Sequence, residues 1–408
     1  MRYRSAMPPR PRTAAELGLM VGPPPYPPER LVSLSNWQDP PFNRWGFQHV
    51  RDLIPTARIA RGDRARALSR SERDLDGLKL QLGRRRVGLQ GFLDETFTDG
   101  LLVLHRGSVV TERYANGMTP STPHLLMSVS KSVTSAVCGV LVGRGVLSPD
   151  DPLTAHIPEL AGTSWAGCTV RHLLDMRAGT RFNEDYDDLA ADVRVYEQIY
   201  QWRPKTRRHL PDDITAYFPT LRNKTKHGGP FDYRSVLTDV LGWVMERAAG
   251  ARLPDLMSRE LWQPMGAEFD AEITVDACGN AMADGGVSCT LRDLARFGQL
   301  LAEGGRRVVP GAWIRDTLTP DADTVEAFAA TADARELAAG SYYRNKFWVV
   351  DPAAPIYMGS GINGQTVFVH GPAEVVIAKF STWPVAWTEE FSIVTRLGLT
   401  SLAEQVAG

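Results

Sequence analysis

Between Ser128 and Gly145 the apolar residues Val129, Val133, Ala136, Val137, Val140 and Leu141 recur at helical spacing, and Gly143 and Gly145 supply a stop. The pattern predicts a helix from about Ser128. A second helix is read from "LTDVLGWVMERAAG", where positions 237, 240, 241, 244, 245 and 248 share a face and Gly250 can end the element. A third starts at Thr290, whose spacing to Asp293 resembles a capping box, and carries Leu294, Phe297, Leu300 and Leu301 inward. Strand patterns lie towards the two ends of the chain. "DGLLVLHRGSVVTERYANG" reads as a hairpin turning at Arg106 and Gly107, and "KFWVV", "QTVFVH" and "EVVIAKFS" read as strands before a final helix from about Thr388.

Strands at both ends around a helical, loop-rich middle predict an α/β fold. One antiparallel sheet is built from N- and C-terminal strands, flanked by helices, with an inserted mainly helical subdomain. The expected division is a tail over 1–30, an α/β subdomain over 31–146 and 266–408, and a helical subdomain over 147–265. The first thirty residues hold eight prolines, so an extended tail is expected there, unable to form helix or central strand. Order is expected to begin near "LSNWQDPPFNRWGF", where Trp37, Phe42, Trp45 and Phe47 offer anchors. No internal repeat is evident.

Composition narrows the function. The 408 residues carry 46 basic and 47 acidic side chains, a net charge of −1, which offers no global attraction to nucleic acid or to an anionic membrane. The runs "RRR" (84–86) and "KTRRH" (205–209) read as solvated surface. Cysteines 138, 168, 278 and 289 form no C-x-x-C pair and no Cys/His cluster at zinc spacing, so buried, isolated thiols and no metal are expected. No apolar run has the length of a signal peptide or a membrane span, and a cytoplasmic location is expected.

The predicted first helix opens on "SVSK", with Lys131 three residues after Ser128. Residues three apart on a helix are neighbours, so hydroxyl and amine can meet at a helix N-terminus that favours negative charge, which is one way to activate a serine. An N-cap serine followed by a solvated lysine has the same pattern. A tyrosine can handle the proton if an ammonium lies near it. Y-x-[SN] occurs at Tyr3, Tyr114, Tyr233 and Tyr343: the first in the tail, the second ending a hairpin strand, the last in a polar loop. Tyr233, just before the second helix, is the one placed to point into a cleft, although a tyrosine simply packed there fits equally.

Oxyanion donors are expected from the Ser128 N–H and from the edge of "SGINGQTVFV", where Gly359, Gly361 and Gly364 permit close backbone approach or simply make a tight turn. "GSGING" matches G-x-G-x-x-G, but a strand follows it where a dinucleotide fingerprint needs a helix. G-x-S-x-G, H-E-x-x-H and P-loop patterns are absent.

The blocks "HLLMSVSKS", "IPELAG", "NEDY", "DVLGW", "DGGVSCTLRDLARFG" and "GINGQ", in this order, resemble the penicillin-recognising serine hydrolases, which include class C β-lactamases, D,D-peptidases and related esterases. Within that group the chain is most similar to the 6-aminohexanoate-dimer (nylon-oligomer) hydrolase type, over most of its length beyond the tail. The resemblance implies the β-lactamase/transpeptidase-like fold, Ser128 as acylated nucleophile, Lys131 as its activator and Tyr233 as proton shuttle. It implies an oxyanion hole from the backbone N–H groups of Ser128 and Ile362, beside Gly361, and Tyr186 assisting the leaving amine. Glu197 holds, by residue count, the place that meets a substrate ammonium.

Three positions depart from the family pattern. Asn363 replaces a cationic or histidine position, Ser235 replaces the asparagine of Tyr-x-Asn, and Asp284 stands where asparagine is expected. The activity implied is hydrolysis of a small linear amide or ester with no cofactor, and a homodimer is compatible with the resemblance. The alternatives are a β-lactamase or D,D-peptidase, which would need export and a carboxylate-binding cation, and a catalytically silent binding module.

Overall fold

The structure, a computed structural model, describes residues 10–408; Tyr3 and the beginning of the Pro-rich tail lie outside the described residues. Its main sheet contains β1 (Thr98–His105), β2 (Ser108–Tyr114), β3 (Tyr342–Arg344), β4 (Phe347–Asp351), β5 (Ile356–Gly361), β6 (Gln365–His370) and β7 (Val375–Ser381). Their order is β3-β4-β5-β6-β7-β1-β2, with Ser69–Arg70 added in parallel at the β2 edge and every other pairing antiparallel. The β7–β1 pairing, with Lys379 opposite Leu101, joins the two ends of the chain into one sheet. The β1–β2 hairpin turns at Arg106 and Gly107, both at positive φ (50° and 76°), the backbone that matches strand twist in a two-residue turn.

The central strands are buried on both faces, which explains why they read as nearly continuous apolar runs. Leu102, Leu104, Val367, Val376 and Ala378 face one core cluster; Leu101, Val103, Phe368 and Ile377 face a second. Helices α1 (Val129–Gly143) and α3 (Leu291–Ala302) lie on the first side, and α4 (Glu389–Ala407) closes the second. Residues 147–265 are mainly helical, with α2 (Val236–Ala249) ending at Gly250 in the left-handed conformation. The first core cluster continues through this part without a break, from Leu153 to Met265.

Several expectations are corrected. Besides the main sheet there is a four-stranded sheet of Thr56–Ile59, Ala271–Thr274, Val287–Cys289 and His124–Leu125. The segment from Arg10 to Glu29 is not a free extended tail. Ala14 and Leu19 are buried, and the Ala14 N–H donates to Asn116 Oδ1 at 2.8 Å, because the apolar residues between the two proline blocks have core surface to cover. Tyr343 lies in β3 and is buried, not in a polar loop. Cys278 is exposed, whereas the other three thiols are buried.

Candidate active site

Helix α1 is the element that places Ser128 and Lys131. From His124 to Leu141 every residue is buried except Ser128, which is half-buried. The polar residues of "SVSKSVTS" do not face water as an amphipathic reading would have it. Ser132 Oγ donates to Lys346 O (2.8 Å), Ser135 Oγ to Asn345 O (2.6 Å) and Thr134 Oγ1 to Ala283 O (3.0 Å), while Ser130 Oγ accepts the Val287 N–H (3.1 Å). Each buried hydroxyl therefore ties α1 to a surrounding loop or, for Ser130, to the Val287–Cys289 strand. Met127, at φ 46°, turns the chain abruptly out of the short His124–Leu125 strand. A side chain in that region stores on the order of 1–3 kcal/mol of strain, and nothing in the sequence marks it.

Ser128 stands at the N-cap of α1 without making a side-chain cap. Its Oγ accepts from Lys131 Nζ at 2.7 Å, which decides between the two readings of the S-x-x-K spacing: the lysine is fully buried and points at the serine. Lys131 Nζ also donates to Ser235 Oγ (3.0 Å), Asp284 O (3.0 Å) and Asp284 Oδ2 (3.4 Å). Tyr233 completes the group. Lys131 Nζ lies 5.2 Å from its ring centre, Trp348 stacks on the ring at 5.6 Å, and Ser128 and Lys131 are the neighbours that pull its pKa down against burial.

Burial pushes Lys131 towards neutrality, but Tyr233, Asp284, Glu184 and Asp239 outweigh it, and its pKa is raised above the ordinary lysine value. Burial raises the Tyr233 pKa, and the Lys131 charge offsets only part of that rise. At neutral pH the resting site thus holds an ammonium and a neutral phenol.

Gly361 ends β5 against Ser128. A Cβ there would lie 2.7 Å from Leu126 O and 2.9 Å from Ser128 N, so only glycine lets this strand end reach the start of α1. Ile362 follows and lines the same small chamber as Ser128, Tyr186, Glu197 and Asp284.

The chain has relatives among known proteins. The family model described as Beta-lactamase matches residues 89–390. The chain belongs to the beta-lactamase family. It is 39% identical to a 6-aminohexanoate-dimer hydrolase of Paenarthrobacter ureafaciens over 359 residues, 86% of this chain and 88% of that one. It is 29% identical to Esterase EstB of Burkholderia gladioli over 178 residues, 41% and 43% of the two chains. Among solved structures, a Bacillus anthracis protein described as a candidate 6-aminohexanoate-dimer hydrolase superposes with a TM-score of 0.83 at 25% identity, covering 94% of this chain and 99% of that one.

Other expected residues of this beta-lactamase-family chain have engagements the sequence did not show. Glu197 is buried, and both its oxygens are occupied: Oε1 and Oε2 accept from Arg194 Nη1 (3.0 and 2.8 Å), and Oε2 accepts from Arg203 Nε (2.6 Å). The carboxylate expected to meet an ammonium is instead neutralised by two guanidiniums. Asn363, expected at the substrate, donates its amide hydrogens to Trp383 O and Val385 O (3.0 Å each) and clamps the 383–385 segment.

Tyr186 borders the chamber with its hydroxyl on Glu184 Oε1 (3.0 Å), and Arg194 lies 5.5 Å from its ring. Glu184 was missed. It belongs to the quoted "NEDY" block, but its contact with Ser235 joins residues 51 positions apart. Outside the chamber, a vestibule of about 440 Å³ is lined by Asp39, Asp185, Asp187, Arg203, Val385 and the half-exposed Trp387. Among the described residues no Cys/His/Asp/Glu group could hold a metal ion, and no helix is long and apolar enough to cross a membrane.

Proposed function

We propose that this chain is a serine hydrolase cleaving amide or ester bonds of small linear substrates, 6-aminohexanoate-oligomer-like amides and short-chain esters, through an acyl-Ser128 intermediate. The observation that carries the reading is the 2.7 Å contact between Ser128 Oγ and a lysine sealed inside the protein. Ser128 Oγ attacks the carbonyl carbon while the Lys131/Tyr233 pair takes its proton. The oxyanion is received by the Ser128 and Ile362 N–H groups at the positive end of α1. The proton passes to the leaving group, and water then hydrolyses the ester on Ser128 with the same pair acting in reverse.

The chamber beside Ser128 measures about 20 Å³, room for roughly one water. A narrow linear acyl chain needs less displacement there than a fused bicyclic β-lactam. Asn363, taken up by backbone carbonyls, supplies no cation for a β-lactam carboxylate.

A fluorophosphonate probe is expected to label the wild type and not Ser128→Ala, and equal labelling of both would defeat the assignment. Nitrocefin, p-nitrophenyl esters and the linear aminohexanoate dimer, assayed side by side, separate the alternatives. Turnover of nitrocefin alone would favour a β-lactamase, and no labelling with no turnover would favour a silent module.

A further inference from the structure

Glu184 is a carboxylate that the mechanism above does not use, yet it binds Ser235, a partner of Lys131, and Tyr186, which lines the chamber. Its Oε2 accepts the Ser235 N–H at 2.7 Å and so caps α2 from outside, which leaves the Ser235 hydroxyl free of the usual capping duty. Its Oε1 accepts from Ser235 Oγ at 2.5 Å and from Tyr186 Oη at 3.0 Å. Ser235 Oγ in turn accepts from Lys131 Nζ at 3.0 Å. An unbroken line of hydrogen bonds thus runs from Ser128 Oγ through Lys131, Ser235 and Glu184 to Tyr186, which lines the same chamber as Ser128.

We propose that Ser235 and Glu184 carry a proton from Lys131 to Tyr186, and that Tyr186 delivers a proton to the nitrogen of a departing amine. This rests on the reading of Ser128 as the acylated nucleophile. In the first step a Lys131 N–H bond breaks and a Ser235 O–H bond forms, while the original Ser235 proton moves to Glu184 Oε1. The ion pair becomes a neutral amine and a carboxylic acid. The Lys131/Tyr233 pair then takes the Ser128 proton as Oγ bonds to the carbonyl carbon. In the last step the Glu184 proton moves to Tyr186 Oη, the Tyr186 proton moves to the nitrogen, and the C–N bond breaks with its electron pair on nitrogen. Lysine ends as ammonium and Glu184 as carboxylate, ready for deacylation. The route gives a resting ammonium a way to become a base, and it matters most for amides, whose nitrogen must be protonated to leave.

The test compares kcat/KM for the linear aminohexanoate dimer with kcat/KM for a p-nitrophenyl ester, whose phenolate leaves without a proton. In Glu184→Gln and in Tyr186→Phe the amide-to-ester ratio is expected to fall on the order of 100-fold. Tyr186→Phe should leave the rate of Ser128 labelling as in the wild type, Glu184→Gln should slow labelling and ester turnover as well because Lys131 loses its proton acceptor, and Glu184→Asp should recover part of both. Equal losses on both substrates in both variants, with labelling retained, would reduce Glu184 to a helix cap and overturn the relay. A wild type that turns over the ester and no amide would also overturn it. Absence of Ser128 labelling in the wild type would instead defeat the underlying reading.

Discussion

Two fully buried lysines, Lys131 at the cleft floor and Lys379 inside the main sheet, are driven in opposite directions by what surrounds them. Around Lys131, Tyr233 and the carboxylates of Asp284, Glu184 and Asp239 together outweigh its desolvation. Lys379 projects from β7 onto Thr96 O (3.4 Å) and Ser381 Oγ. The carboxylate that helps it, Asp99, is already bound to Arg44 at 2.7 Å, and burial pushes the Lys379 pKa down to about 7. Burial therefore does not make a lysine catalytic. What distinguishes Lys131 is a set of acidic neighbours that keep it charged and a partner hydroxyl, Ser128, that is only half-buried and lines a chamber, where the partner of Lys379, Ser381, is sealed in the sheet.

The largest effect is expected where this difference is removed. Lys131→Met should lower turnover of both ester and amide by about 10³-fold or more. It also leaves Asp284 and Glu184 without their cation, and losing one partner of a buried ion pair costs roughly 3–5 kcal/mol. Urea titration of the variant beside Ser128→Ala checks the second half. If Lys131→Met were as stable as the wild type, the carboxylates would not be held by this lysine.

Lys379→Met gives the opposite sign of stability change. Between pH 7 and the ordinary lysine value near 10.5, the unfolded chain holds a proton on Lys379 that the folded chain lacks. The wild type therefore gains stability from this group as pH rises across that window, and below it pays the cost of charging a buried amine. The variant should be more stable than the wild type at neutral pH by on the order of 1–3 kcal/mol, with the gap closing towards pH 10. Chemical denaturation at several pH values reads the slope, and a gap that does not change with pH would show that Lys379 is not neutralised by folding.

The contrast explains how much was legible beforehand. The hairpin, the three C-terminal strands, the capped α3 and the helix after Ser128 follow from local periodicity, and the Ser128–Lys131 contact follows from three-residue helical spacing. The burial of Lys379 within "VVIAKFS" is not written in the strand pattern, because burial on both faces depends on α4, which folds back from further along the chain. Glu184, Asn363 and the Gly361 approach depend on partners far away in sequence. The Arg194 clamp on Glu197 could have been found, since the two are three apart on the Asp192–Ile199 helix; the Arg203 half could not.

Asp284→Asn sharpens the comparison with the smallest change. Asp284 holds Lys131 in two ways, through Oδ2 at 3.4 Å and through its backbone oxygen at 3.0 Å. The substitution keeps the second and removes the charge from the first. Because the Asp284 charge raises the Lys131 pKa, its loss must lower it. The limb of kcat/KM that rises as Lys131 gives up its proton should move to lower pH by about one unit, with ester turnover at neutral pH increasing several-fold, since one unit corresponds to about 1.4 kcal/mol. Asp239, whose carboxyl is raised by burial and by Asp284, would ionise more readily and offset part of that shift, so Asp239→Asn made together with Asp284→Asn should move the limb further. A pH profile unchanged in both variants would mean that neither carboxylate sets the charge of Lys131, and the contrast with Lys379 would then have to come from Glu184 and Tyr233 alone.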